Sequence, residues 1–162
     1  MKNIKNPSGE PQRELTGRIS RELLARNCFG SLAYLAHGVP YVLPITYFYD
    51  KERNFLVSYS MEGHKIQAMR EHPEVALLVY EMQDPGQWVS VQVHGRFEEV
   101  RQIDAKACLH RFTEGVRSIL KSRGEDQASV IPDFSSKSET MGIPVVYRIR
   151  PTVWEGRCRE RD

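Results

Sequence analysis

The sequence WVSVQVHGRFEEV at residues 88–100 predicts a long β-strand. Valine occupies every second position in its first half, and polar side chains fill the positions between. Such a period of two is typical of a strand with one buried face and one polar face. The polar positions are Ser90, Gln92 and His94. They can face solvent, line a ligand groove or line a subunit interface.

Strands and helices extend outward from this segment in both directions. Further strands are predicted at 29–36, 41–49, 55–60, 75–80, 145–149 and 151–154, and helices at 14–27, 63–71 and 103–120. Pro44 lies inside the strand 41–49, which places that position at a sheet edge or a bulge. Because short turns join most strands, the sheet is antiparallel. The order predicts a mainly β fold with flanking helices, closed into a small barrel.

The chain of 162 residues is long enough for one domain. Residues 1–13 are predicted to be a mobile leader, residues 14–156 a single domain and residues 157–162 a charged tail. The polar segment 121–142 is long for a loop of a compact domain, so we expect it to be mobile or functional. A lid over a ligand is one hypothesis for its role.

The composition excludes several classes of protein. Net charge is +2, from 23 basic and 21 acidic residues, so neither nucleic acid nor an anionic membrane surface is an expected partner. No apolar run approaches the roughly 20 residues of a membrane-spanning helix, and no secretory signal is evident. Three widely spaced cysteines, of which Cys28 and Cys108 lie in helix contexts, favour buried free thiols over disulfides or zinc. We therefore expect a cytoplasmic protein without a metal site.

The sequence LVSYSMEGHKI at residues 56–66 is the strongest candidate for a binding site. A strand that ends in hydroxyl side chains is followed by Gly63 and by a helix whose first turn carries His64 and Lys65. Basic residues are unfavourable at a helix N-terminus unless an anion binds there. A phosphate site is one interpretation, and an ordinary solvated helix start is the other. No nucleophile elbow, dinucleotide fingerprint or P-loop motif occurs elsewhere.

Five segments together resemble the pyridoxamine 5′-phosphate oxidase-like FMN-binding split barrels, in particular the branch that includes nitroimidazole-resistance proteins. They are residues 29–33, 40–47, 57–66, 70–77 and 91–98, and the similarity extends over about residues 14–156. The resemblance implies a six-stranded antiparallel split β-barrel that works as a homodimer with FMN at the interface. It also implies an oxidoreductase for which NAD(P)H is a possible electron donor.

The resemblance implies a set of flavin-binding residues. In this sequence they are Pro44, Ile45, Thr46, Tyr47, Ser58, Tyr59, Ser60, His64, Lys65, Ser90, Gln92 and Trp154. Lys65 matches the family's phosphate-binding lysine, and His64 stands where a basic residue often completes that clamp. Residues 58–60 match the strand end beside the phosphate and ribityl chain, and residues 44–47 the strand along the isoalloxazine ring. Ser90 or Gln92 and the C-terminal aromatic Trp154 would approach the flavin.

The chain departs from its closest functional classes at identifiable positions. Oxidases of pyridoxamine phosphate carry basic residues where Val42 and Tyr47 stand and have a longer C-terminus, and many nitroimidazole-resistance proteins have histidine at the position of Ser58. The resemblance therefore implies flavin binding without a named reaction, and no catalytic side chain is assigned. The alternatives are a haem protein with His94 or His64 as axial ligand, a non-catalytic flavin-binding module, and use of a deazaflavin.

Overall fold

The computed structural model describes residues 4–5, 11–125 and 142–159. Within these ranges the chain is mainly β with three helices. The strands are β1 (Ile4–Lys5), β2 (Pro11–Glu14), β3 (Phe29–Ala36), β4 (Val39–Thr46), β5 (Phe48–Asp50), β6 (Phe55–Ser60), β7 (Glu74–Asp84), β8 (Gln87–Val100) and β9 (Val145–Arg159), and the helices are α1 (Gly17–Arg26), α2 (His64–Glu71) and α3 (Gln102–Ser122).

Six strands close a barrel if β4 and β5 are counted as the two halves of one bent strand. β4 pairs with β3, and the neighbours then follow in the order β7, β8, β9 and β6. β6 pairs with β5, which follows β4 after the single residue Tyr47. All these pairings are antiparallel. The predicted six-stranded antiparallel split barrel is confirmed.

The split lies where β4 and β6 diverge. The β5–β6 ladder extends from Asp50 opposite Phe55 to Phe48 opposite Val57, and residues 58–60 then pair only with β9 in the described part of the chain. β4 pairs with β3 alone among the described strands, so Pro44 lies at a free sheet edge as predicted. A side-chain hydrogen bond crosses the split, from Ser58 Oγ to the Thr46 carbonyl at 2.8 Å.

The barrel interior and the α3 side hold two separate hydrophobic clusters. Val91 and Val93 of β8 are fully buried in the first cluster, which confirms the alternation predicted for that strand. Phe112 and Val116 of α3 pack on Val57 of β6 in the second. Each fully buried side chain of this size contributes about 1.5–3 kcal/mol relative to exposure. α3 is thereby fixed against β6, the strand that borders the split.

The ends of the sheet extend beyond the predicted domain limits. Arg13 of β2 pairs with Cys158, so residues 11–14 belong to the sheet and not to a leader. β9 is one continuous strand through Arg159, where two strand pieces and a charged tail were predicted. In its last residues Gly156 and Cys158 are buried, whereas Glu155 and Arg157 are exposed, and this period of two is what a half-buried strand requires. Residues 1–3, 6–10 and 160–162 lie outside the described residues.

The three helices occur at the predicted places with slightly different ends. Thr16 caps α1 through its hydroxyl, which accepts a hydrogen bond from the Ile19 amide at 3.4 Å. α3 continues to Ser122, so only residues 123–125 and 142 of the predicted loop 121–142 are described outside a helix. Cys28 and Cys108 are buried free thiols, as predicted. No helix in the described ranges combines the length and the apolarity needed to cross a bilayer.

Candidate functional site

A cleft of about 230 Å³ opens at the split between β4 and β6. Its lining is formed by Pro44, Ile45, Thr46, Ser58, Tyr59, Lys65 and Phe112. Three parts of the chain therefore meet here, namely the end of β4, the segment from the end of β6 to the first turn of α2, and α3. The sequence predicted all of these residues except Phe112 as part of one site.

Lys65 provides the positive charge of the cleft. Its side chain is partly buried, and no carboxylate of the described residues forms a salt bridge with it. Burial lowers the pKa of the Lys65 ammonium below its ordinary value, because removal from water disfavours the charged form. A bound anion would supply the missing counter-charge.

The N-terminus of α2 adds hydrogen-bond donors beside Lys65. Gly63 precedes the helix and offers no side chain to cap it, and the first turn contains no acidic residue. The amides of the first helical turn have no partner within the helix, and they carry a partial positive charge. Together with the ammonium they form the kind of site that binds a phosphate group.

The walls of the cleft are held in place by contacts behind them. Ser58 is 4% exposed and its hydroxyl bridges to the Thr46 carbonyl, so the two sides of the split are tied together at that point. The Tyr59 ring meets the Phe112 ring edge-on, with centroids 5.2 Å apart. Burial raises the pKa of the Tyr59 hydroxyl, which therefore stays protonated. A cleft with walls fixed in this way loses little entropy on binding.

Three of the predicted flavin-binding residues are sequence neighbours of the lining residues but do not line the cleft themselves. Tyr47 is fully buried in the barrel, and its hydroxyl donates to the Leu24 carbonyl at 2.9 Å. Ser60 pairs with Val145 of β9 and lies just beyond the lining residues. His64 is exposed and is not among the residues that line the cleft.

His64 instead belongs to an aromatic group on the neighbouring strands. Its Nδ1 lies 3.3 Å from the Tyr34 hydroxyl, and its ring centroid is 5.0 Å from that of Tyr41. Tyr34 and Tyr41 are cross-strand partners whose rings stack at 5.4 Å. The group anchors the start of α2 on β3 and β4, so His64 positions the residue that follows it.

Ser90 and Gln92 lie on the outer face of the sheet, away from the cleft of their own chain. β8 is separated from β4 by β3 and β7, which corresponds to about 14 Å for three strand spacings. Gln92 Nε2 is 2.8 Å from His94 Nε2.

Trp154 is also remote from the cleft. The residue is partly buried, and its ring meets the Tyr49 ring edge-on with centroids 5.8 Å apart. The Arg21 guanidinium lies over the same ring at 5.5 Å. Within one chain, Trp154 therefore packs between the barrel and α1.

The outer face of the sheet exposes an unusual number of large apolar side chains. They follow β4, β3 and β7 and include Phe29, Leu35, Val42, Leu78, Tyr80 and Met82, with exposures between 37% and 68%. The strand register places Pro44, Ser31 and Leu78 side by side on this face. Because Pro44 also lines the cleft, the cleft opens at the border of this apolar face.

Comparison with known proteins agrees with this geometry. The sequence profile described as pyridoxamine 5′-phosphate oxidase matches residues 18–158. The chain belongs to the pyridoxamine 5′-phosphate oxidase family. An uncharacterized protein of Rhizobium meliloti (strain 1021) is 43% identical over 74 residues, and the match covers 44% of this chain and 48% of that protein. The chain thus matches about half the length of this curated relative.

Solved structures of proteins from several bacteria have the same fold as this chain. A FAD-binding protein of Mesorhizobium loti is 27% identical with a TM-score of 0.67, and the match covers 93% of this chain and 98% of that chain. Two more distant structures are similar in fold. A candidate 5-nitroimidazole antibiotic resistance protein of Bacteroides thetaiotaomicron is 13% identical with a TM-score of 0.66, and the match covers 93% of this chain and 91% of that chain. A FAD and haem binding protein of Mycobacterium smegmatis is 14% identical with a TM-score of 0.65, and the match covers 93% of this chain and 74% of that chain.

Proposed function

We propose that this protein is a flavoprotein that binds FMN, with the phosphate held at Lys65 in the cleft of the split barrel. The observation that carries the proposal is the partly buried Lys65 ammonium, which has no carboxylate partner among the described residues and lies beside an uncapped helix start. The family membership and the FAD-binding relative from Mesorhizobium loti support a flavin as the ligand.

The residues of the cleft fit the parts of a flavin nucleotide. Lys65 and the first amides of α2 would hold the phosphate, and the Ser58–Tyr59 segment would lie along the ribityl chain. The β4 edge from Pro44 to Thr46 would lie along the isoalloxazine ring, because this edge has no neighbouring strand in the described chain. A bound flavin supplies hydride or single-electron transfer, while the protein supplies orientation and electrostatics.

The experiment that tests the proposal is an absorbance spectrum of the purified protein followed by titration with FMN and with FAD. We expect a flavin spectrum or saturable uptake, with FMN bound at least as tightly as FAD. Chromatography of cofactor released from the purified protein identifies the flavin directly. Uptake of FAD alone would correct the cofactor to the one described for the Mesorhizobium relative. No flavin uptake, or a Soret band in place of it, would refute the proposal and favour the haem alternative.

We also propose that two chains form a homodimer through the outer sheet face, with the flavin between them. Exposed apolar patches of this kind mark interaction surfaces on proteins. Ser90 and Gln92 lie on this face about three strands from the cleft, so they would approach the flavin bound by the partner chain. Light scattering of the FMN-loaded protein tests this arrangement, and a monomer at micromolar concentration would contradict it.

We further propose that the protein is an oxidoreductase whose bound flavin accepts electrons from NADH or NADPH. No side chain of the cleft is assigned a proton-transfer role, because flavin reduction by a nicotinamide requires only a bound and accessible flavin. Anaerobic mixing of the FMN-loaded protein with NADH and with NADPH tests it through bleaching of the flavin band. Absence of bleaching with both donors would favour a non-catalytic flavin-binding module.

A further inference from the structure

A second cavity, of about 450 Å³, lies between the N-terminal half of α3 and the strands β6, β8 and β9. It shares no lining residue with the flavin cleft. Its walls are formed by Arg53, Phe55, Glu99, Val100, Arg101, Asp104, Ala107, Cys108, Arg111 and Arg148. Four of these residues are arginines and two are acidic, so the lining carries a net positive charge of two.

The four arginines come from four different parts of the chain. Arg53 precedes β6, Arg101 precedes α3, Arg111 lies within α3, and Arg148 lies in β9. Convergence of like charges on one cavity costs free energy, and packing of the barrel alone does not require it. Arginine is also the residue best suited to hold a phosphate through paired N–H donors.

Neighbouring carboxylates are shared between the arginines of the cavity and others beside them, and Arg53 also lies 3.9 Å from Glu52. Asp50 is shared between Arg53 at 3.4 Å and Arg111 at 3.7 Å. Glu98 is shared between Arg148 at 2.6 Å and Arg150 at 2.8 Å. Since a guanidinium carries several N–H donors, one shared carboxylate oxygen satisfies only part of each group.

The Glu99 carboxylate is likewise shared between two arginines, and Glu99 also lines the cavity. Its oxygens lie 2.7 Å from Arg70 and 3.5 Å from Arg101. Hydrogen bonds from Arg70 lower the pKa of the Glu99 carboxyl, so the group is ionised and accepts hydrogen bonds.

Arg111 shows the shortage of acceptors most directly. Its Nε is buried without a hydrogen-bond partner in the described part of the chain, because the Asp50 oxygen is too distant for a hydrogen bond. Its Nη2 donates to the weak acceptor Cys108 Sγ, at 3.7 Å. A buried unsatisfied donor of a charged group is costly and indicates a missing partner.

The start of α3 contributes to the same cavity. Arg101 is the N-cap residue of α3 and provides no side-chain cap, so the amides of the first turn are available to an acceptor. Asp104 in that turn and Glu99 of β8 also line the cavity, and their carboxylates can accept hydrogen bonds from hydroxyl groups. The cavity therefore combines donors for an anion with acceptors for neutral hydroxyls.

We propose that this arginine cavity binds a phosphorylated, hydroxyl-bearing small molecule of the sugar phosphate class, with the phosphate on the arginines and the hydroxyls on Glu99 and Asp104. The ligand would be held by α3, the same helix that supplies Phe112 to the flavin cleft. Binding at this site is independent of whether the cleft takes a flavin.

The test is calorimetric titration of the FMN-saturated protein with ribose 5-phosphate, inorganic phosphate and ribose in phosphate-free buffer. We expect saturable binding of ribose 5-phosphate, weaker binding of phosphate and none of ribose. Arg101→Met, at an exposed position, and Arg111→Met should each weaken binding about tenfold or more through loss of a charge-assisted contact. Arg117→Met is the matched control, because Arg117 lies on α3 outside the lining of the cavity and forms a salt bridge with Glu114.

Each other outcome overturns the proposal. No binding of ribose 5-phosphate by FMN-saturated or flavin-free protein would exclude the site. An equal loss in Arg117→Met would indicate nonspecific attraction to a basic helix. Loss of binding in Lys65→Met, with binding retained in Arg101→Met, would place the ligand in the flavin cleft instead.

Discussion

Replacement of Lys65 by methionine separates a ligand-binding lysine from a structural one. Methionine keeps the length and apolar stem of the side chain and removes the charge. A hydrogen bond from a charged group contributes about 1.5–3 kcal/mol. Because each 1.4 kcal/mol is about tenfold in affinity, we expect the FMN dissociation constant to rise about 10- to 150-fold.

The same substitution should not destabilise the flavin-free protein. Burial makes the Lys65 charge unfavourable in the folded chain, where no carboxylate of the described residues pairs with it, and burial lowers the pKa of that group below its ordinary value of 10.5. Methionine removes this cost. We therefore expect the flavin-free variant to unfold at the same temperature as the wild type or at a higher one.

The pH dependence has a defined sign. Between the lowered pKa of folded Lys65 and its ordinary value of 10.5, the unfolded chain binds more protons than the folded chain. The stability contribution of this group therefore rises as the pH increases through that interval. It is absent in Lys65→Met, and a bound phosphate would reduce it because a nearby anion favours the charged lysine.

The assay is quenching of FMN fluorescence on titration, combined with thermal unfolding of the flavin-free proteins. Lys121→Met is the matched control, since Lys121 is an exposed lysine of α3 outside the lining of the cleft. Unchanged FMN affinity in Lys65→Met would refute the phosphate assignment. A large loss of stability without FMN would show instead that the lysine has a structural role.

Three further substitutions test the placement of other residues. Tyr47→Phe should lower the free energy of unfolding by about 1–3 kcal/mol in urea titrations, since the buried Leu24 carbonyl loses its donor, and FMN affinity should not change. Gly115→Ala should destabilise by about 1–3 kcal/mol in the same assay, because the added methyl would overlap the Phe48 ring; a stabilised variant would contradict that packing. Leu78→Asp, on the outer sheet face, should convert the proposed dimer to a monomer in light scattering, and a persistent dimer would place the interface elsewhere.

The Ser58, Tyr59 and Lys65 side of the cleft was predictable because its signals are local, whereas Ile45 and Thr46 were predicted only from the family resemblance. Hydroxyl side chains end a strand, Gly63 follows, and a basic helix start comes next, so the phosphate hypothesis needs only the segment 56–66. Pro44 marks a sheet edge from its own chemistry, since it lacks an amide hydrogen. The structure brings these two segments together at the split. Phe112 was missed because an aromatic residue on the apolar face of a long helix is indistinguishable from ordinary core.

The placement of other predicted residues depends on the direction in which their side chains point, which the sequence does not determine. Tyr47 follows three cleft residues, but it lies at the break between β4 and β5, where its side chain turns into the barrel. The alternation in β8 correctly distinguishes its buried face from its polar face. It does not predict that the polar face lies three strands from the cleft. The charged segment after Trp154 was expected to be a tail on composition, although its alternation with Gly156 and Cys158 is that of a strand.

The pairing of β9 has a consequence for the order of folding. Residues 145–149 of β9 pair with β6, and its residues 146–159 pair with β8, so β9 connects parts of the chain that are synthesised long before it. Contacts of such high sequence separation form late and slow the folding of β proteins. A ribosome-bound chain that ends before β9 can pair β3, β4, β7 and β8, but the Ser58–Tyr59 side of the cleft lacks its support. Capture of the proposed flavin is therefore expected only after β9 has emerged from the ribosome.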